Sequence, residues 1–171
     1  KQWDKYRQTL NAFAMPYYQL PGNHDIFSRK ARQIYQQRFG HLFQSFDNSG
    51  CHFVLLNNCE EGRWGYLGSN QLAWLKADLL ATSARAVFVF LHFPVWEPER
   101  VTPSCHDFWQ QTLHPLFRAS RVQAVFGGHY HSYGPSREID GIHYFITGGG
   151  GAELRPEYRK AGGQHHFMEV Q

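Results

Sequence analysis

Three short stretches of the chain carry side chains suited to holding a metal ion: Gly22-Asn23-His24-Asp25, His92 followed by Phe93-Pro94, and Gly127-Gly128-His129-Tyr130-His131. Each comes directly after residues that read as a buried strand, at 16–20, 86–91 and 122–126. Open α/β sheets bind ligands in the crevice beyond the carboxyl ends of their strands, so the three loops can converge on one site. Their glycines permit close backbone approach and turns closed to other residues. His129 and His131 are two apart, which on an extended stretch points both side chains the same way. Imidazole nitrogens with the amide oxygen of Asn23 make a mixed N/O donor set that suits zinc, iron or manganese rather than calcium.

Taken singly, each stretch has an ordinary explanation. A lone histidine after a strand is usually hydrogen-bonded in the core or at the surface, and Gly, Asn and Asp all favour turns. What outweighs this is their joint occurrence, each at a strand's end.

The elements that must position these residues follow from the pattern. Trp3, Tyr6, Leu10 and Phe13 stand at helical spacing over 2–13, and Met15-Pro16 closes that helix. A second helix is expected over 28–39, with Ser28 as N-cap and Gly40 as stop. Residues 43–47 and 51–57 flank Asn48-Ser49-Gly50, a hairpin turn sequence. A third helix starts at a capping Ser69 and carries an apolar stripe of Leu72, Leu75, Leu79 and Leu80, with Trp74 on its edge. Six apolar residues over 86–91 predict a strand buried on both faces. A helix is expected from about 106 to 119. Two hairpin strands around Asp140-Gly141 follow the strand 122–126, and His166 to Val170 are expected to add an edge strand. Helices alternate with buried strands early and hairpins dominate later, which predicts an α/β layered sandwich with mixed sheets.

The bulk figures agree with one domain. The chain has 171 residues, 42% apolar, 16% aromatic and 18% charged, which supports a real core. A net charge of +3 does not point to nucleic acid, and Arg29, Lys30, Arg32 and Arg38 read as a solvated helix face. No apolar run approaches the roughly 20 residues of a membrane span. Cys51, Cys59 and Cys105 form no C-x-x-C pair. Free thiols are expected, with a Cys51–Cys59 bridge as the alternative. The first residue is Lys1, so localisation stays open.

Pro-Gly-Asn-His-Asp at 21–25, Leu-His-Phe-Pro at 91–94 and Gly-Gly-His-Tyr-His at 127–131 resemble the last three motifs of the calcineurin-like metallophosphoesterases. The resemblance extends to Gly65-Tyr66-Leu67, to Gln71-Leu72-Ala73-Trp74-Leu75 and to Thr147-Gly148-Gly149-Gly150-Gly151. It implies an α-β-β-α sandwich, incomplete at the N-terminus, with residues 1–171 as the C-terminal portion of a single domain. It implies two divalent or trivalent metal ions of the Mn, Fe or Zn type. Asn23, His92 and His129 would ligate one ion, His131 would ligate the other, and His24 would face the substrate. The implied reaction is hydrolysis of a phosphoric mono- or diester by a hydroxide held between the metals, with His24 assisting the leaving group.

The family's pattern opens with an Asp-x-His motif and a Gly-Asp motif, and neither occurs ahead of residue 21. The 171 residues alone are therefore expected to be inactive. The rival expectation is a non-catalytic interaction module on the same fold. His41, His52, His106, His114, His143, His165 and His166 match no family motif and are expected to be structural or exposed; a metal picked up by His165-His166 would be adventitious. Specificity is expected from the loop 93–105, including Trp96, Glu97 and Arg100.

Overall fold

The computed structural model describes residues 2–60, 62–97, 99, 101–134, 136–154 and 163–170. Its elements run α1 (Gln2–Leu10), α2 (Arg29–Phe39), β1 (Gln44–Asn48), β2 (Cys51–Leu55), β3 (Cys59–Glu60), β4 (Arg63–Trp64), α3 (Ser69–Ala81), β5 (Ala86–Leu91), α4 (Pro103–Phe108), a π-helical turn (Trp109–Leu113), α5 (His114–Ala119), β6 (Val122–Gly127), β7 (Arg137–Ile139) and β8 (Ile142–Ile146). Six strands form one mixed sheet in the order β1-β2-β5-β6-β8-β7, and β3 pairs with β4 in a small ribbon. The four central strands are mutually parallel, while the edge strands β1 and β7 run antiparallel to their neighbours. The mixed α/β class expected from the sequence is observed.

Local chemistry explains most boundaries. Ser28 caps α2 by accepting a hydrogen bond from the Ala31 amide, and Gly40 ends it with φ of 83°. Ser49 and Gly50 both have positive φ, as a two-residue hairpin turn of the primed kind requires. Ser69 is the first residue of α3 rather than its cap; Gly68 occupies the cap position without a side-chain bond. The last long helix starts earlier than expected, because Thr102 caps it and Pro103 fits its first turn. Its π turn lies just ahead of Pro115. Proline has no N–H to donate and crowds the carbonyl four residues back, so the chain widens there and the His114 amide bonds to the Trp109 carbonyl.

One face of the sheet is dry. Val54, Val87, Val89, Leu91, Val125 and Ile146 pack there with Leu75 and Leu79 of α3 and with Leu113 and Phe117. Leu80, expected in the α3 stripe, points to solvent at 88% exposure, and Gln71 is buried in that helix instead. The opposite face corrects the reading of β5 as buried on both sides. Val87, Val89 and Leu91 are buried, but Phe88 and Phe90 are only half-buried. They lie in rows of stacked rings, Phe46–Phe53–Phe88 at 4.9 and 5.5 Å and Phe90–Phe126–Phe145 at 4.9 and 5.2 Å.

Two expected strands are not formed. Residues 16–20 have no ladder partner among the described residues; Tyr18 stacks on Phe46 at 3.6 Å, and the Gln44 side chain donates to the Gln19 carbonyl. Residues 166–170 also lie outside any ladder, His166 being held by its amide to the Gly149 carbonyl. The three cysteines are free thiols. Arg32 pairs with Glu60 and Arg38 with Asp4, so half of the basic helix face is matched by acids. No helix among the described residues is long and apolar enough to cross a membrane.

Candidate metal centre

The parallel register decides where the candidate residues meet. Leu91 pairs with Gly127 at the carboxyl ends of β5 and β6, so the next residues of the two strands emerge side by side. There the Gly128 amide donates to the His92 carbonyl at 3.0 Å. The Gly22–Asp25 turn approaches from outside the sheet. It is closed twice, by the Asp25 amide to the Gly22 carbonyl and by the Gly22 amide to the Asp25 carboxylate at 2.7 Å. Gly22 must be glycine for a steric reason. A Cβ there would lie 2.9 Å from Cε1 of His92, closer than real contacts allow.

The three loops bring three donor atoms together. Nε2 of His92 lies 2.8 Å from Oδ1 of Asn23 and 3.2 Å from Nδ1 of His129. Two ligand atoms each about 2.1 Å from one ion, at right angles, stand about 3.0 Å apart. The observed separations are also those of ordinary hydrogen bonds. Asn23 is buried at 8% exposure, and the His92 and His129 rings meet edge to face at 5.1 Å with Phe93 packed 4.0 Å from His129. Burial, with the neighbouring imidazoles of His129, His24 and His131, pushes the His92 pKa down to about 3. Its ring is therefore neutral at physiological pH, which is the form that binds a metal.

His131 and His24 lie outside this trio. Nδ1 of His131 donates to the Glu153 carbonyl at 2.9 Å, leaving Nε2 as the nitrogen with the lone pair. The ring of His24 is exposed and borders a cavity against α1 and α2. Among the described residues no three of His, Cys, Asp and Glu are arranged to hold a metal. The set reaches three donors only through the amide of Asn23.

Backbone geometry is specialised here too. His129 adopts φ of 63°, a left-handed conformation uncommon for a residue with a side chain. The Tyr130 carbonyl sits so close over Gly148 that any Cβ would collide with it, which ties the His129–His131 loop to the start of the glycine run.

One positioning residue was missed by sequence reasoning. Asn58, fully buried, accepts hydrogen bonds from the amides of His92 and Phe93 and donates to the Phe93 carbonyl at 2.9 Å. Its neighbour Asn57, equally buried, exchanges two backbone hydrogen bonds with the Gln71 side chain. The signal was available: adjacent amides directly after a buried strand, the same arrangement that marks the three loops. The expected specificity residues fare differently. Trp96 is buried against Tyr144 and Glu97 is buried and paired with Arg137, so both are structural; Arg100 lies outside the described residues. His52 and His114 are structural as expected, the first held between Asp47 and Asp78, the second between Tyr144 and Asp140.

The described residues thus form a mixed α/β sheet with imidazole nitrogens and an amide oxygen gathered at its strand ends. The chain belongs to the calcineurin-like phosphoesterase family, whose model matches residues 1–133. It is 24% identical over 180 residues to purple acid phosphatase 18 of Arabidopsis thaliana, a match spanning 89% of this chain and 40% of that protein. It is 26% identical over 147 residues to a 3',5'-cyclic-nucleotide phosphodiesterase of Nostoc, covering 84% of this chain and 54% of the relative. Purple acid phosphatase PPD1 of yellow lupin shares the fold, with a TM-score of 0.70 and 19% identity over 91% of this chain and 35% of the lupin chain. The chain thus spans about half or less of the length of these relatives.

Proposed function

We propose that this segment supplies the C-terminal half of a metal centre that hydrolyses phosphoric mono- or diesters. The observation that carries the reading is the approach of Asn23 Oδ1 and His129 Nδ1 to within 2.8 and 3.2 Å of His92 Nε2. In this reading Asn23, His92 and His129 hold one ion and His131 contributes to a second. Carboxylates of the Asp-x-His and Gly-Asp motifs, which the family's pattern places ahead of residue 21, would complete the pair. Ions bound there would supply Lewis acidity and make water nucleophilic at neutral pH.

The chain's own residues do the rest. His92 is already neutral, so binding through Nε2 needs no net loss of a proton but only the tautomer with the proton on Nδ1. Asn58 fixes the backbone that carries His92, and the closed Gly22–Asp25 turn fixes Asn23. His24 follows a donor residue directly but stands at the cavity, where its ring can hydrogen-bond or protonate the departing oxygen.

The test is an assay of phosphate-ester hydrolysis with the protein at its encoded length, stripped of metal and reloaded with manganese, zinc or iron. Activity that returns with metal and is absent in His92→Ala supports the reading. Activity indifferent to both removes it. Retention of all four donor residues with His24 favours an enzyme over an interaction module, which would need none of them.

A further inference from the structure

The loop that carries His129 and His131 needs support, because His129 sits at φ of 63°. Residues in such sparsely populated regions persist only where their surroundings over-determine them. One support is the run Thr147–Gly149 that follows β8. The Thr147 amide donates to the Gly127 carbonyl at 2.7 Å, and the Gly148 amide donates to the Ser132 carbonyl at 3.1 Å. Thr147 also forms a bridge with Tyr133, and the Tyr130 carbonyl closes over Gly148. The loop from Gly127 to Tyr133 is thus laid along this run. A glycine run is itself the least constrained kind of backbone, so it steadies the loop only if something steadies it.

The stretch 164–166 does this. A Cβ on Gly149 would collide with the His166 ring and the Gln164 carbonyl, so these atoms lie directly against the run. The His166 amide donates to the Gly149 carbonyl at 3.1 Å, and the His166 ring meets Tyr133 edge to face at 5.4 Å. Nε2 of His166 lies 3.1 Å from the Thr147 hydroxyl. The sense of that bond is fixed by the other ring nitrogen. Nδ1 lies 2.8 Å from the Gln164 carbonyl, which can only accept, so Nδ1 carries the proton and Nε2 of the neutral ring accepts from Thr147.

We propose that His166 is a positioning residue of the metal centre: it clamps Thr147 and Gly149 and, through that run, holds the loop of His129 and His131. The assignment rests on the reading of those two histidines as metal ligands. In this role His166 acts through Thr147 and needs no contact with an ion.

The experiment titrates manganese into the metal-free protein at its encoded length and reads the affinity by calorimetry. His166→Ala is expected to weaken binding about tenfold, the low end for groups that orient ligands. Thr147→Val should weaken it too, and should have no further effect once His166 is alanine, because both changes remove one bond. His166→Gln, whose side-chain oxygen can accept from Thr147 in place of Nε2, should keep the original affinity. A loss in His166→Ala that Thr147→Val does not share would make His166 a ligand in its own right and overturn the proposal. Unchanged affinity in both variants would overturn it as well. Failure of the unsubstituted protein to bind manganese defeats the reading of the metal centre instead. The clamp is then judged by amide hydrogen exchange of the metal-free protein. Faster exchange at Gly148 and Ser132 in His166→Ala, with the β6 amides unchanged, supports it. Exchange unchanged at both, or faster throughout β6 to the same degree, overturns it.

Discussion

Oδ1 of Asn58 lies 3.1 Å from the backbone nitrogen of His92, so a buried amide at the end of one strand fixes the residue at the end of the next. β2 and β5 are parallel neighbours, and this side chain bridges the loops that leave them. Asn58→Ala would strand the amides of His92 and Phe93 and the Phe93 carbonyl. Unpaired buried groups cost about 1–3 kcal/mol each, so a loss of about 3 kcal/mol in urea unfolding is expected. Metal affinity should weaken as well, although every donor atom is still present. Unchanged affinity would mean that His92 is held by its packing alone.

His24 and His92 should separate cleanly by substitution. At encoded length, His24→Ala should keep its metal and lose roughly 10²–10⁴ in kcat, the usual contribution of general acid–base catalysis. His92→Ala should instead lose metal. An ester with an acidic phenol needs little protonation, so His24→Ala should harm it less than an alkyl ester. Equal losses would leave His24 an electrostatic role only, and loss of metal would remove it from the substrate side altogether.

His52 sets a pH dependence of stability away from the site. Burial alone would lower its pKa, but hydrogen bonds to Asp78 and Asp47 outweigh that and raise it above the ordinary value. A histidine that holds its proton more tightly when folded stabilises the fold fully below the unfolded pKa of about 6.5. That contribution is lost as pH rises through the raised folded value. The stability difference between the unsubstituted protein and His52→Asn should therefore be largest near pH 6 and narrow toward pH 9. Denaturant midpoints across that window measure it, and a constant difference would mean that the imidazolium form is not what the two carboxylates bind.

The half-buried phenylalanine rows should be visible in solution. The 171-residue chain is expected to bind the dye ANS and to sediment faster as its concentration rises. Phe53→Gln with Phe88→Gln should reduce both effects, because these rings lie stacked and half-buried. A monomer that binds no dye would show that the rings shield one another well enough to remain dry.

Local chemistry made much of this legible in the sequence. Ser28 and Gly40 bracket α2, and Ser49-Gly50 turn the first hairpin, because caps and tight turns depend on a few adjacent residues. The donor trio was legible because its members sit at strand ends in three short motifs. What escaped depends on neighbours far along the chain. Asn58 looks like any loop amide until β5 brings His92 to it, 34 residues away. Residues 16–20 have strand composition, but a strand exists only where another edge accepts its hydrogen bonds. Leu80 fits a helical stripe that the sheet, packed on Leu75 and Leu79, does not reach.

The left-handed backbone of His129 bears on how such a sequence drifts under mutation. A residue with a side chain held at φ of 63° gives up about 1–3 kcal/mol that glycine would recover. Neutral drift under selection for stability alone would thus replace histidine with glycine at this position early, with no harm to the sheet beneath it. His129→Gly should accordingly raise the melting temperature while removing a donor, a stability–activity trade-off confined to one side chain. In a lineage that kept this fold only as a scaffold, position 129 is where the loss of chemistry would be recorded first.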